Sequence, residues 1–169
     1  MHIRQLTEAD AEVFRVFRLQ SLRESPHAFT NSYEKYSQQT VEATARRFRE
    51  QVVSQVDFML GAFEDGQLIG SVGFYRETAL KLRHKGHIVS MYVSPEYRSR
   101  GIARALLVEA IARARRLPEL KQLQLGVVVT QTTAKRLYES LGFKRYGREL
   151  QAVKIGDEYF YEEFMRLKL

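Results

Sequence analysis

The stretch GHIVSMYVSPEYRSRGIARALLVEAIARARRLP, residues 86–118, limits the fold more than any other part of the chain. It opens with a β-branched run that Ser94-Pro95 stops, because proline cannot donate to a strand ladder. Beyond the proline, Ile102/Ala103, Leu106/Leu107 and Ala110/Ile111 recur every four residues, followed by Ala114. That spacing predicts an amphipathic helix ending near Leu117-Pro118, with Arg104, Glu109 and Arg113 mostly outside the apolar stripe. Strand and helix meet at a tight turn where Arg98, Arg100 and Arg104 surround Gly101. A helix N-terminus already carries partial positive charge, so cations gathered there are unfavourable unless an anion shares the site. Gly101 permits close backbone approach, and the first amides of a helix are unpaired donors, so the turn suits a phosphate or diphosphate. Solvated arginines at an ordinary helix start are the plainer reading.

The rest of the chain supplies a sheet for this unit to join. MHIRQL reads as a short opening strand, and Thr7 with Asp10 forms a capping-box-like start to a helix that ends at Ser25-Pro26. PHAFTNSYEKYSQQT has no period, and a second helix covers about Val41–Val53. Asp65-Gly66 predicts a type I′ hairpin between DFMLGAFE and QLIGSVGFYR. QLQLGVVV is a further strand, and Ala134, Leu137, Tyr138 and Leu141 form a second apolar stripe with Gly142 as its left-handed cap. A hairpin through Ile155-Gly156-Asp157 joins strands near Lys144–Val153 and Tyr159–Leu167. The order βααβββαβαββ implies a single α/β (α+β) domain over residues 1–169, with helices on both faces of a mixed sheet.

Composition removes several chemistries. The chain has 169 residues and no cysteine, which excludes disulfides, thiolate-bound zinc and cysteine nucleophiles. His2, His27, His84 and His87 show no metal-ligand spacing beyond the last pair, which is read as strand-entry polarity, so no metal is expected. The N-terminus is charged from Arg4 and does not resemble a secretory signal, and no apolar run approaches the roughly 20 residues of a membrane span. A cytoplasmic setting with no membrane partner is the expectation. The formal net charge of +7 suits a small polyanion or a nucleic acid. No helix-turn-helix, zinc-finger or ribonucleoprotein signature accompanies it, which disfavours nucleic acid.

Two motifs in register add a resemblance. Arg98-Ser99-Arg100-Gly101-Ile102-Ala103 matches R/Q-x-x-G-x-G/A after a strand ending Met91-Tyr92-Val93. Gln131-Thr132-Thr133-Ala134-Lys135-Arg136-Leu137-Tyr138-Glu139-Ser140-Leu141-Gly142-Phe143 looks like N-x-x-A-x-x-L-Y-x-x-x-G-F. Together they resemble the acetyl-CoA signatures of the GNAT N-acetyltransferase superfamily, and the element order fits over nearly the whole chain. The resemblance implies a mostly antiparallel sheet of about seven strands with a splayed central parallel pair and about four flanking helices. It implies acetyl-CoA as cosubstrate, its pyrophosphate on the amides of Arg98–Ala103 with Arg104 nearby, and its pantetheine arm beside Met91, Tyr92 and Val93. Gln131, Ala134 and Tyr138 complete the cofactor set. Gln131 stands where the family usually has asparagine, a longer side chain with the same donor and acceptor. Lys135 and Arg136 are either adenosine-phosphate contacts or solvated helix charges.

The reaction implied is direct acetyl transfer to a primary amine of a small molecule or protein. Tyr138 matches the family's general acid, although a helical tyrosine is also a good core residue. A phenol of pKa about 10 protonates a thiolate of pKa about 8.5 only uphill, by roughly 2 kcal/mol. His87, six residues before Val93, is either a base acting through water or an idle strand-edge histidine. Phe29, Tyr33, Glu34 and Tyr36, with Tyr75, are expected either to form the acceptor wall or simply to pack the loop. The competing readings are a non-catalytic acyl-CoA-binding regulatory module and a nucleic-acid binder. A homodimer through the sheet edge or the C-terminal hairpin is compatible with the family.

Overall fold

The computed structural model describes residues Met1–Leu169. Its sheet has seven strands: β1 (His2–Gln5), β2 (Phe58–Glu64), β3 (Gln67–Arg76), β4 (Lys85–Val93), β5 (Gln122–Val128), β6 (Lys144–Ile155) and β7 (Glu158–Lys168). Their spatial order is β1-β2-β3-β4-β5-β7-β6, antiparallel throughout except for β4 beside β5. Asp65 and Gly66 both have positive φ, 50° and 81°, as a type I′ turn requires.

The helices are α1 (Ala11–Glu24), α2 (Tyr33–Ser37), α3 (Val41–Ser54), α4 (Ile102–Arg115) and α5 (Thr132–Ser140). α2 is one more than the sequence predicts. The aperiodic stretch hides a single turn that Ser32 initiates, its Oγ accepting the Lys35 N–H at 3.2 Å. One face of the sheet packs against α4 and α5 through a core of 22 buried residues, among them Leu106, Leu107, Leu123 and Met165. On the other face Phe14 and Phe17 of α1 and Phe48 of α3 meet Met59, Phe63, Leu68 and Tyr92. α4 lies so close over β3 that a Cβ on Gly70 would meet Leu106 at 3.0 Å and Ile102 at 3.3 Å.

β4 keeps Ile88 and Val93 in the same layer only because it carries a bulge. Ser90 has φ 52°, and the β3–β4 register slips between Ser71 and Gly73. The Ser71 hydroxyl donates to the Ser90 carbonyl at 3.0 Å and holds the distortion. Ile88 packs in the α4 core before the bulge and Val93 does so after it, while Tyr92 turns to the α1 side. Val93 is five positions beyond Ile88, an odd spacing that puts both on one face only if one extra residue is inserted.

The C-terminal hairpin is pinned by Glu163, which is 1% exposed. Its carboxylate meets Lys135 Nζ at 2.6 Å, Arg145 Nη1 at 3.0 Å and Arg148. The Arg148 hydrogen bond and then the Lys135 one draw its pKa down to about 2 from 4.5. A depressed carboxylate pKa contributes stability above the unfolded value of 4.5 that is lost as pH falls toward about 2. Glu163→Gln is therefore expected to lower unfolding free energy at pH 7 by about 2 kcal/mol. In denaturant titrations the gap from the wild type should narrow below about pH 4.5 and close toward about pH 2; a gap constant with pH would dissociate Glu163 from the effect.

Candidate active site

β4 and β5 pair at only three positions, Lys85↔Gln122, Gly86↔Leu123 and His87↔Gln124. Beyond His87 the two strands part. The inner edges of Ser90–Val93 and Leu125–Val128 then face one another across a slot. At its open end Ser94-Pro95 leads through a short 3₁₀ turn into α4.

The turn itself is a cradle. Ser99 and Gly101 have φ 61° and 79°, and no backbone N–H from Ser99 to Arg104 donates to an acceptor within the chain. Left-handed residues alternating with ordinary ones aim such amides into one concavity, and a Cβ built on Gly101 meets nothing within 4 Å. The arginine side chains are placed differently from the free cations the sequence suggests. Arg98 Nε donates to the Val93 carbonyl at 3.0 Å, and Arg100 Nη2 reaches both Glu64 oxygens at 2.8 and 2.9 Å. Arg104 Nη2 donates to Ser140 Oγ at 2.8 Å, tying α4 to α5. They brace the turn, and the donors it leaves free are those of the main chain. Ile102 is buried and Ala103 packs against the same core, so both anchor the helix start.

Met91 packs on the α4 side of β4, whereas the Tyr92 ring is buried in the α1 layer and its hydroxyl donates to the Glu24 carboxylate. Burial, reinforced by Glu24, pushes the Tyr92 phenol well above its ordinary range. Only the Tyr92 backbone is left to face the slot.

Across the slot Gln131 is the residue before α5, its N–H donating to Val128 O at 2.9 Å. Ala134 is half-buried against the core. Tyr138 is 7% exposed, meets Phe143 edge-on at 5.9 Å, and burial pushes its phenol up to about 12.

His87 lies where the strands begin to part, about 20 Å along β4 from Val93. Its Nε2 donates to Glu77 Oε1 at 2.8 Å, and its ring stacks on Tyr75 at 4.6 Å and 13°. A carboxylate only accepts, so that bond places a proton on Nε2 and leaves Nδ1 without a partner in the chain. Glu77 is a partner that sequence reasoning missed.

The predicted acceptor residues do not all come together. Phe29, Tyr33 and Glu34 line a cavity of about 620 Å³ under the β6–β7 hairpin tip, with Lys154 and Gly156 opposite. Tyr75 instead lines a separate cavity of about 460 Å³ beneath α3, with Val89 and Ser90. Arg23 lies 4.3 Å over the Tyr33 ring and its Nη2 donates to the Tyr33 hydroxyl at 2.6 Å. Tyr33 and the loop around it are thereby fastened to α1.

Glu162 is a further residue that pattern reading passed over. It lies over Gly126 on the face opposite α4, where a Cβ would approach its Oε1 to 2.2 Å. Burial first, then Glu149, raises its pKa. Glycine inside the strand QLQLGVV was the available signal, since an interior glycine marks a close approach.

Comparison with known proteins agrees with this geometry. The Acetyltransferase (GNAT) family model matches residues 19–143. The chain belongs to the GNAT acetyltransferase family. An N-alpha-acetyltransferase of Sulfurisphaera tokodaii is 34% identical over 87 residues, covering 47% of this chain and 52% of the relative. An N-alpha-acetyltransferase of Saccharolobus solfataricus is 39% identical over 64 residues, 38% of either chain. The alignments thus span about half the length of these relatives, or less. Among solved structures, a GNAT-family acetyltransferase from Streptococcus pneumoniae superposes with TM-score 0.91 at 24% identity, covering 99% of each chain. A phosphinothricin acetyltransferase from Sinorhizobium meliloti in complex with AcCoA gives 0.84 at 20%, covering 99% of this chain and 88% of that one. At such identities the likeness is one of fold. No helix is long and apolar enough to cross a membrane.

Proposed function

We propose that the chain is an acetyl-CoA-dependent N-acetyltransferase acting on a primary amine, without metal or covalent enzyme intermediate. The observation that carries this reading is the run of unpartnered amides from Ser99 to Arg104 at the mouth of the parted strands. These amides fit a diphosphate, and the free inner edge of Met91–Val93 fits an extended amide-bearing arm lying beside it as an added strand. Bound acetyl-CoA supplies the activated acyl group. Gln131, longer than the asparagine usual there, makes a rearranged contact at the far wall.

Positioning does most of the work. Holding amine and acyl carbon together removes much of the entropic barrier to a bimolecular step. Tyr138 donates a hydrogen bond to the departing sulfur. His87 Nδ1, oriented through Glu77, takes the amine proton through water. His87→Ala is expected to flatten the acidic limb of the rate–pH profile; an unchanged limb would clear His87 and turn attention to Glu162.

The test is a screen of primary amines that monitors coenzyme A release, together with calorimetry of acetyl-CoA. Transfer to some amine supports the proposal; no heat and no thermal protection by acetyl-CoA would end it. One observation favours a second reading, an acyl-CoA-binding module without turnover: burial makes the Tyr138 phenol, at about 12, a poor acid. Tight acetyl-CoA binding with no transfer across the panel would establish that alternative.

A further inference from the structure

Beneath α3, on the sheet face opposite α4, a cavity of about 460 Å³ is lined by Arg47, Gln51, Met59, Gly73, Tyr75 and Ser90, among others. That volume lies within the range of small-molecule sites. Its polar lining is unsatisfied. Arg47 Nε and Nη2 are buried and donate to nothing, and the buried Gln51 Oε1 accepts nothing. The Arg47 guanidinium lies 5.2 Å from the Phe48 ring and 5.8 Å from Phe14, contacts that soften its burial without satisfying its directional donors.

A second arginine stands behind the first. Arg18 of α1 is 6% exposed, lies 4.1 Å over the Phe29 ring, and has a single hydrogen bond, to Ser21 Oγ at 3.3 Å. The Tyr36 hydroxyl of α2 is likewise buried with no partner. These groups feel one another: burial pushes the Arg18 pKa down to about 10, with Tyr36 opposing and Arg47 adding to the fall. No carboxylate pairs with either arginine. Of the two acids in the cavity lining, Glu50 is exposed, and Asp57 Oδ1 accepts the Arg76 N–H at 2.9 Å.

Two like charges buried without a counter-ion are unfavourable in a folded chain, and buried donors without acceptors add to that cost. Three helices nevertheless bring Arg18, Tyr36 and Arg47 together. An incoming planar anion meets Arg47 at the cavity wall, where a guanidinium matches a carboxylate through two parallel bonds, and its charge also offsets the unpaired Arg18 behind. The same cavity extends to Tyr75, which stacks on His87, and to Ser90 at the bulge beside the slot.

We propose that this cavity is the acceptor pocket and that its acceptor is a small amine bearing a free carboxylate, as an amino acid does, held by Arg47 with Arg18 and Tyr36 behind it. Gln51 Oε1 then faces the ligand as an acceptor for its N–H groups. The fate of the amine rests on the acetyltransferase reading; the carboxylate contact rests on the cavity alone.

The experiment compares free amino acids with their carboxamides, which keep the amine and side chain and lose the charge. With acetyl-CoA present, the acids are expected to exceed the amides in kcat/KM by about 10- to 100-fold, the reach of a charge-assisted contact. Arg47→Met should abolish that preference and Tyr36→Phe reduce it several-fold, both with the Kd for acetyl-CoA unchanged. Equal rates on acids and amides in the wild type would overturn the carboxylate pocket and leave the transferase standing. If no amine is acetylated although acetyl-CoA binds, the transferase reading fails and thermal unfolding decides the pocket. The acids and not the amides must then raise the wild-type Tm, but not that of Arg47→Met; no such difference overturns the proposal. Arg47→Met loses no hydrogen bond and is expected to fold. Should it not, Arg47→Lys, which keeps the charge without the fork, must lose most of the preference; full retention would overturn the bidentate contact.

Discussion

Tyr138→Phe is expected to lower kcat by 10²- to 10⁴-fold, the usual span of acid–base assistance, with little change in the Kd for acetyl-CoA. The hydroxyl is the only group removed, and the ring keeps its edge-on contact with Phe143 at 5.9 Å, so folding should be unaffected. The same burial that orients the hydroxyl restrains it as an acid. A phenol at about 12 must give its proton to a thiolate of ordinary pKa, about 8.5, against roughly 5 kcal/mol. In the proposed mechanism Tyr138 therefore hydrogen-bonds the sulfur as charge develops and completes the transfer late. A pH consequence follows: no loss of activity from Tyr138 ionisation is expected below about pH 11, because the folded-state phenol stays protonated there. An alkaline limb near pH 10 that vanishes in Tyr138→Phe would contradict the high value; an unchanged kcat would remove Tyr138 from the mechanism.

Gly101→Asp is expected to weaken acetyl-CoA binding by about 10²-fold or more while leaving the fold intact. Two effects add. The left-handed φ of 79° costs a residue with a Cβ about 1–2 kcal/mol, which a turn that relaxes when empty must pay again on binding, and a carboxylate beside the cradle repels a diphosphate. The space around the position is open, so no clash propagates into α4. Gly101→Ala separates the two, keeping the backbone strain without the charge, and should lose only about 5- to 30-fold. Calorimetry reads both; affinities equal to wild type in the aspartate variant would move the diphosphate elsewhere.

The cradle was legible because its signals are local: a proline that ends a strand, a glycine at the turn, and an apolar stripe that starts one residue later. The hairpin turns and the α4 face were legible for the same reason. The acceptor region was not. Its loop has no period, so α2 escaped notice, and Tyr75 was grouped with Phe29, Tyr33 and Glu34 although the fold assigns it to another cavity. Arg18 and Arg47 carry no local signal that sets them apart from the other arginines of their helices. Only the packing of α1, α2 and α3 shows that their guanidinium groups turn inward without a partner. The Arg100–Glu64 pair spans 36 positions in sequence, a separation at which no pattern could foresee it.

Three rungs are all that fasten β1–β4 to β5–β7 by direct strand pairing. A sheet ordinarily has two margins, and this one has four, two of them in its middle. Whatever slides between those inner margins touches both halves of the domain at once, so occupancy should be felt as far away as the outermost hairpin, as slower amide exchange and a stiffer hinge.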